Sequence, residues 1–134
     1  FNRTIQLRDD YPDAHYNRGV VYFTLKQYNE AIEDYNIAIK QSPKFAKAYN
    51  NRGNVYHLMG RYNEAVADYN SALQHNPEFG KVYCDRAGTY FTVQKYKAAY
   101  DDVIRAQQLG YPVDPRFIAA IEEGLKSSGQ TNVR

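Results

Sequence analysis

The sequence predicts an all-α fold in which antiparallel helix pairs repeat along the chain and stack on one another as a solenoid. The first observation is a 34-residue period, because residues 12–45 laid over residues 46–79 agree at 16 of 34 positions. The second is that each period contains two amphipathic helical patterns joined by a short turn. Two helices within a period of this length are typical of helical repeat proteins.

A third copy of the period covers residues 80–113 and is less regular than the first two. Ala87 stands at the glycine position of the earlier copies, and Tyr111-Pro112 stands where their proline falls. Six positions nevertheless keep one residue type in all three copies: Arg18, Arg52, Arg86; Tyr22, Tyr56, Tyr90; Tyr28, Tyr62, Tyr96; Ala31, Ala65, Ala99; Asp34, Asp68, Asp102; and Ala38, Ala72, Ala106. The sequence therefore predicts three successive helix pairs.

The second copy shows the helix boundaries most clearly. Its first helix is predicted from Ala46 to Met59, and Gly60-Arg61 forms the turn. Its second helix is predicted over Tyr62–His75, where Asn76-Pro77 ends it.

Tyrosine is unusually abundant, at 14 of 134 residues, and there is no tryptophan. Tyrosines share helical faces with small residues in the second copy, at Tyr49, Gly53, Tyr56 and at Ala65, Tyr69, Ala72. Small residues let two helix backbones approach, and tyrosine rings then fill the remaining volume with their hydroxyls at a polar rim. Most of the tyrosines are therefore predicted to belong to the core.

These residues resemble the tetratricopeptide repeat (TPR), whose 34-residue signature has a small residue, an aromatic, an alanine and a second aromatic at fixed positions. The matching residues are Gly19, Gly53, Ala87; Tyr22, Tyr56, Tyr90; Ala31, Ala65, Ala99; and Tyr35, Tyr69, with Val103 as a departure. Two further departures are His15, Tyr49, Tyr83 in place of the usual Trp, and arginine in place of the usual Leu at Arg18, Arg52, Arg86. The resemblance covers residues 12–113 and implies a right-handed α-α superhelix.

Both ends of the chain fit this scheme. Residues 1–11 are similar to the tail of a preceding repeat. Asp114-Pro115 is a helix start, with an N-cap residue followed by proline in the first turn. Residues 114–128 are therefore predicted to form a capping helix, through the apolar stripe Phe117, Ile118, Ile121, Leu125, and residues 129–134 a frayed polar tail.

The resemblance implies a concave groove lined by the first helix of each repeat, where proteins of this family bind peptides. The groove positions are occupied by Tyr16, Asn17, Val20, Phe23, Lys47, Asn50, Asn51, Asn54, His57, Lys81, Cys84, Asp85 and Phe91. An amide side chain donates and accepts together, so a row of asparagines can hold an extended peptide backbone whatever its sequence. The alternative is that these asparagines are only solvated on an unoccupied face.

One variant of the family clamps a C-terminal carboxylate with Lys and Asn in one repeat, Asn in the next, and Lys and Arg in the third. Only Asn51 and Lys81 match this pattern. Tyr16 and Val20 stand at the first Lys and Asn, and Asp85 replaces the arginine with the opposite charge. Binding of chaperone tails by this clamp is therefore not expected.

The recurring arginines and aspartates predict ion pairs, which we expect between neighbouring repeats, Asp34 with Arg52 and Asp68 with Arg86. The alternative is solvated surface pairs that contribute little to stability.

Several classes of function are disfavoured. A net charge of +2 argues against nucleic-acid binding, and no apolar run is long enough for a membrane span. The single cysteine, Cys84, has no catalytic signature around it and suits a reducing, cytoplasmic compartment. His15, His57 and His75 lack ligand-pair spacing and are expected on the surface or in the groove. We therefore expect no enzyme activity, no metal and no cofactor.

Two functions remain. The first is a non-catalytic module, a scaffold or adaptor within a larger protein, that binds a protein or extended peptide in the groove. The second is a structural spacer or self-association segment of a longer solenoid.

Overall fold

The structure is a computed structural model that describes residues 11–130. All regular structure in this range is helical, as predicted. The helices are α1 (Pro12–Thr24), α2 (Tyr28–Gln41), α3 (Ala46–Leu58), α4 (Tyr62–His75), α5 (Gly80–Thr92), α6 (Tyr96–Gln108) and α7 (Pro115–Ser128). Contacts divide the chain after Pro77 into two compact units, unit 1 with α1–α4 and unit 2 with α5–α7. The predicted repeat tail at residues 1–11 lies outside the described residues apart from Tyr11.

Unit 1 consists of two helix pairs, α1 with α2 and α3 with α4, and α2 also packs against α3. Three-residue turns join the helices of each pair, so the two helices run antiparallel. Lys26 and Gly60 hold the left-handed conformation in these turns, with φ of 61° and 76°. The next residue donates its backbone N–H back to the first helix, as Arg61 does to the Tyr56 carbonyl at 2.8 Å. The predicted turn at Gly60-Arg61 is therefore confirmed.

The core of unit 1 is built where a tyrosine ring crosses a glycine. Tyr35 and Tyr69 are the largest fully buried side chains of the unit. A Cβ atom at Gly19 would lie 2.7 Å from Cε1 of Tyr35, and one at Gly53 would lie 2.8 Å from Cε1 of Tyr69. The predicted core role is confirmed for these two tyrosines. Six others in unit 1 are only half-buried: Tyr16, Tyr22, Tyr28, Tyr49, Tyr56 and Tyr62.

In unit 2, other residue types form the contact that glycine and tyrosine form in unit 1. Ala87 stands at the glycine position and Val103 at the tyrosine position, and both are fully buried with Ala99. The smaller valine leaves room for the alanine methyl group, so the two departures from the repeat pattern compensate for each other in volume.

Helix α7 covers the end of unit 2 as predicted. Its N-cap is Asp114, whose Oδ1 accepts a hydrogen bond from the Arg116 backbone N–H at 2.9 Å. The apolar stripe packs on the core of α5 and α6 through Phe117, Ile118, Ile121 and Leu125. Gly124 lies directly against the ring of Tyr96, where no Cβ would fit.

The sequence predicts that the frayed tail begins at residue 129, which is too early, because Gln130 is still hydrogen-bonded to the protein. Gln130 is held at the start of α6, because its Oε1 accepts from the Tyr96 backbone N–H at 2.9 Å. Its Nε2 donates to the Gln94 carbonyl at 2.8 Å. A side-chain amide that bonds both backbone groups therefore fixes the chain as far as residue 130, and residues 131–134 lie outside the described range.

Candidate functional site

The recurring arginines and aspartates pair within each repeat, so the prediction of bridges between neighbouring repeats is wrong. Arg52 donates from Nε and Nη2 to the two carboxylate oxygens of Asp68, at 2.8 and 2.7 Å. The same bidentate geometry joins Arg18 to Asp34 and Arg86 to Asp102. The arginine of the first helix faces the aspartate of the second helix across the pair, which makes the two planar groups direct neighbours.

Two tyrosine rings lie beside the guanidinium group of Arg52 and of Arg86, and the Tyr22 ring lies beside that of Arg18. The Arg52 guanidinium carbon lies 5.7 Å from the ring centre of Tyr49 and 5.9 Å from that of Tyr56. Arg52 also reaches the preceding helix, because its Nη1 donates to Oδ1 of Asn36 at 2.7 Å. Asn36, and not the predicted Asp34, therefore accepts the hydrogen bond from Arg52 that links the first two repeats.

Burial affects the pKa of two of these aspartates, Asp68 and Asp102. Burial raises the pKa of Asp68, and the hydrogen bonds from Arg52 oppose that rise. The pKa of Asp102 is raised for the same reason, with Arg86 opposing it. The hydrogen bonds to Asp68 in turn raise the pKa of Arg52. In both pairs the arginine therefore favours the ionised form of the carboxylate against the effect of burial.

Asn51 lies on α3 and is oriented by two tyrosine hydroxyls, one from α1 and one from α2. Its Nδ2 donates to the Tyr16 hydroxyl at 3.1 Å and to the Tyr35 hydroxyl at 3.4 Å. The Tyr16 ring in turn packs on Phe45, with centroids 4.9 Å apart. Burial raises the pKa of Tyr35, so this hydroxyl stays protonated. These bonds use only the Nδ2 end of the half-buried Asn51 amide.

Asn54 is oriented in a related way. The Tyr69 hydroxyl donates to Oδ1 of Asn54 at 2.6 Å. Because Gly53 lets the Tyr69 ring cross the helix pair, a side chain from α4 reaches the amide on α3. The surface that contains these amides, the α1/α3 face, is defined here by Tyr16, Asn17, Val20, Lys47, Asn51 and Asn54.

The other predicted groove residues of unit 1 occupy different environments. Asn17 and Lys47 are exposed, and Val20 is half-buried. Phe23 and His57 pack edge-on against the tyrosine that begins the second helix of their repeat, Tyr28 and Tyr62 respectively. Asn50 differs from the expectation, because its side chain is only 2% exposed and is enclosed by the protein. A ligand on this surface would not touch it.

The predicted groove residues of unit 2 are largely engaged within the unit. Lys81 Nζ donates to Oδ2 of Asp85 at 2.8 Å, one helical turn away. Burial and the charge of Asp85 raise the pKa of the Cys84 thiol, which makes it a poor nucleophile at neutral pH. Phe91 lies under the capping helix, with its ring centre 5.7 Å from that of Phe117. It therefore belongs to the core contacts of unit 2.

One of the three histidines, His15, does not lie where the sequence predicts. His15 is buried, with Nδ1 3.4 Å from Oδ1 of Asp34, so the surface or groove position expected for it is wrong. It lies at the position that Tyr49 and Tyr83 occupy in later repeats, beside the Arg18–Asp34 pair. Among residues 11–130 no group of His, Cys, Asp or Glu is placed to hold a metal ion. The helices of the same range are too short or too polar to cross a membrane.

Three contacts at the site were not predicted from the sequence. Phe45 packs against the Tyr16 ring, Asn36 accepts a hydrogen bond from Arg52, and the Tyr35 hydroxyl orients Asn51. The recurrence of Phe45 at Phe79 and of Asn36 at Asn70, each 34 residues later, was the available signal.

Comparison with known proteins agrees with this geometry. Residues 46–79 match the family described as tetratricopeptide repeat, and residues 21–60 match the one described as TPR repeat. None of the curated proteins matches the chain.

Solved TPR domains are similar over most of the chain. The first TPR domain of human RPAP3 has 25% identity and a TM-score of 0.82, covering 90% of this chain and 96% of that one. The TPR2B domain of yeast Sti1, in a complex with pHsp70, has 25% identity and a TM-score of 0.77, covering 87% and 97%. The first TPR of Spaghetti (RPAP3), bound to the HSP90 peptide SRMEEVD, has 24% identity and a TM-score of 0.79, covering 88% and 93%. The two family matches show that residues 21–79 consist of tetratricopeptide repeats, and the seven helices of residues 11–130 fit about three repeats and a capping helix.

Proposed function

We propose that this chain is a non-catalytic scaffold or adaptor module that binds an extended peptide or protein segment through the first helices of its repeats. The observation that supports the proposal best is the pair of oriented amides on the α1/α3 face. Asn51 is bonded to the hydroxyls of Tyr16 and Tyr35, and Asn54 to that of Tyr69. Amides fixed before binding save the ordering cost of about 0.5–1.5 kcal/mol for each side chain.

The chemistry of these amides favours a peptide backbone as ligand. An extended backbone presents alternating N–H and C=O groups, and Asn51, whose Nδ2 donates to the two tyrosine hydroxyls, offers its Oδ1 to a backbone N–H. Val20 and the Tyr16 ring add apolar surface beside the amides. Recognition of this kind holds the backbone and places few demands on the side chains of the ligand.

The proposed ligand does not depend on a free C-terminal carboxylate. Tyr16 and Val20 supply no charge where the clamp of related domains has Lys and Asn, and Lys81 is paired with Asp85. Fluorescence anisotropy with the peptide SRMEEVD tests this point. We expect its affinity to be unchanged by amidation of the C-terminus, whereas a loss of binding on amidation would contradict it.

A phage-displayed library of random 12-residue peptides, with the random segment internal to the coat-protein fusion, tests the function itself. We expect the folded chain to enrich peptides that bind saturably, and N51A/N54A to weaken that binding at least about tenfold, near 1.4 kcal/mol. N29A/N63A, which removes two exposed amides from the second helices, is the matched control and should bind normally. Failure to enrich any peptide, together with a concentration-dependent mass in sedimentation, would favour self-association instead.

A further inference from the structure

The charged residues of unit 1 are unevenly distributed along the sequence. The segment from residue 35 to residue 63 contains no Asp or Glu. It contains five cations: Lys40, Lys44, Lys47, Arg52 and Arg61. Two of them are neutralised by acids outside the segment, because Arg52 pairs with Asp68 and Arg61 with Glu64. Three positive charges therefore remain.

These three residues, the lysine cluster of Lys40, Lys44 and Lys47, lie at the connection between α2 and α3. All three are exposed, and none has an ion pair among residues 11–130. The connection is ordered by the Phe45 backbone N–H, which donates to the Ser42 carbonyl at 3.0 Å. Tyr49 adds a hydrogen bond from its hydroxyl to the Pro43 carbonyl at 3.1 Å. The cluster is thus carried on a fixed turn.

Helix stability does not account for the whole cluster. Lys40 lies in the last turn of α2, where a cation favours the helix dipole. Lys47 lies in the first turn of α3, where the dipole disfavours a cation, and that turn contains no acidic residue. Lys44 lies between the helices and adds a third like charge. Within residues 11–130, no ion pair therefore neutralises the positive charge at this connection.

Lys47 connects the lysine cluster to the α1/α3 face. Lys47, Asn51 and Asn54 are spaced i, i+4, i+7, so they form one stripe along α3. At a rise of 1.5 Å per residue, the two amides lie about 6 and 10 Å beyond the Lys47 level. A peptide held by both amides therefore needs only two or three further residues to reach the lysines.

We propose that the peptide bound on the α1/α3 face carries Asp or Glu side chains at the end that lies over the start of α3, and that the lysine cluster binds these carboxylates. The inference rests on the proposed function and names the charge and orientation of its ligand. A peptide is favoured over a lipid or a nucleic acid because the amides beside the lysines match the groups of a peptide backbone.

The peptide selection also tests this inference. We expect the enriched 12-residue peptides to contain Asp or Glu, clustered at one end. In anisotropy titrations at low salt, a synthetic selected peptide should lose at least about tenfold in affinity with K40Q/K44Q/K47Q, as should the peptide with its acids changed to amides. K26Q/K95Q/K126Q removes three exposed lysines elsewhere and is the charge-matched control, expected to change affinity less than about threefold.

The outcomes separate the two proposals. Enriched peptides without acidic residues, or equal losses with the two triple variants, would overturn the acidic ligand and leave the peptide-binding function intact. Absence of any enriched peptide would overturn both. Cluster-dependent binding to phosphatidylserine vesicles or to a short DNA duplex that is tighter than binding to the selected peptide would assign the lysines to a different partner and overturn the inference.

Discussion

Gly53 and Tyr69 fit together so closely that a β-carbon on the glycine would lie 2.8 Å from the tyrosine Cε1 atom. The contact joins α3 to α4 and brings the Tyr69 hydroxyl to Asn54. The third repeat replaces both members, with Ala87 and Val103. The glycine thus serves packing within the repeat and the orientation of an amide on its surface.

Substitution of Gly53 by alanine is expected to destabilise the protein, although alanine favours helices by about 1 kcal/mol over glycine. The methyl group would collide with a buried ring and lie 3.2 Å from the Ala65 carbonyl oxygen, and overpacking costs about 1–3 kcal/mol. Gly88→Ala in α5 is the control, because beyond its chain neighbours and the backbone of its own helix no atom lies within 4 Å of its Cβ site. Urea unfolding should show a loss for G53A and a gain for G88A. Partial recovery in G53A/Y69V would identify the ring as the cause, and equal gains for both alanines would contradict the contact.

The Tyr35 hydroxyl predicts a loss of stability in alkali. Burial raises its pKa above the ordinary value of 10, so above pH 10 the unfolded state releases a proton that the folded state retains. Stability from this group is complete below pH 10 and falls as pH rises further. At pH 11 the wild type should lose about 1 kcal/mol more than Y35F, relative to pH 8. Y11F, at a half-exposed tyrosine, is the control, and identical losses in all three proteins would exclude the effect.

Removal of Arg52 should cost more than removal of any exposed ion pair in unit 1. R52M would leave Asp68 buried without its two hydrogen bonds, at about 3 kcal/mol, whereas R61M at the exposed Arg61–Glu64 pair should cost less than about 1 kcal/mol. A double-mutant cycle should show coupling of Arg52 with Asp68 and none with Asp34. Coupling with Asp34 alone would contradict the pairing.

The same variant has a predicted pH dependence. Without Arg52 the pKa of Asp68 should rise further, because burial then acts unopposed. In the unfolded state Asp68 ionises near pH 4. The loss of unfolding free energy in R52M should therefore grow as the pH rises from 4 to the pKa of Asp68 in the folded state, and this pH-dependent part should disappear as the pH returns to 4. Unfolding free energies between pH 4 and pH 8 measure it. A deficit independent of pH would show that Asp68 finds another partner.

The sequence predicted the repeat, the helix boundaries and the cap, because these follow from periodic spacing, turn residues and an N-cap that act locally. It misassigned the partners of Arg52, since a period of 34 residues does not distinguish Asp34 from Asp68 as its neighbour. It also assigned Asn50 to an accessible surface, whereas helix rotation and packing decide its burial. The fixed orientation of Asn51 depends on hydrogen bonds to Tyr16 and Tyr35, which come from two other helices, and no local sequence pattern predicts these contacts.

The most direct test of the account is nuclear magnetic resonance of the labelled chain during titration with a selected peptide. We predict that the side-chain amide signals of Asn51 and Asn54 and the backbone signal of Lys47 change most. The exposed outer face of α2, reported by Ile37, should change least. Changes confined to that outer face, with the Asn51 and Asn54 amides unaffected, would contradict binding on the α1/α3 face.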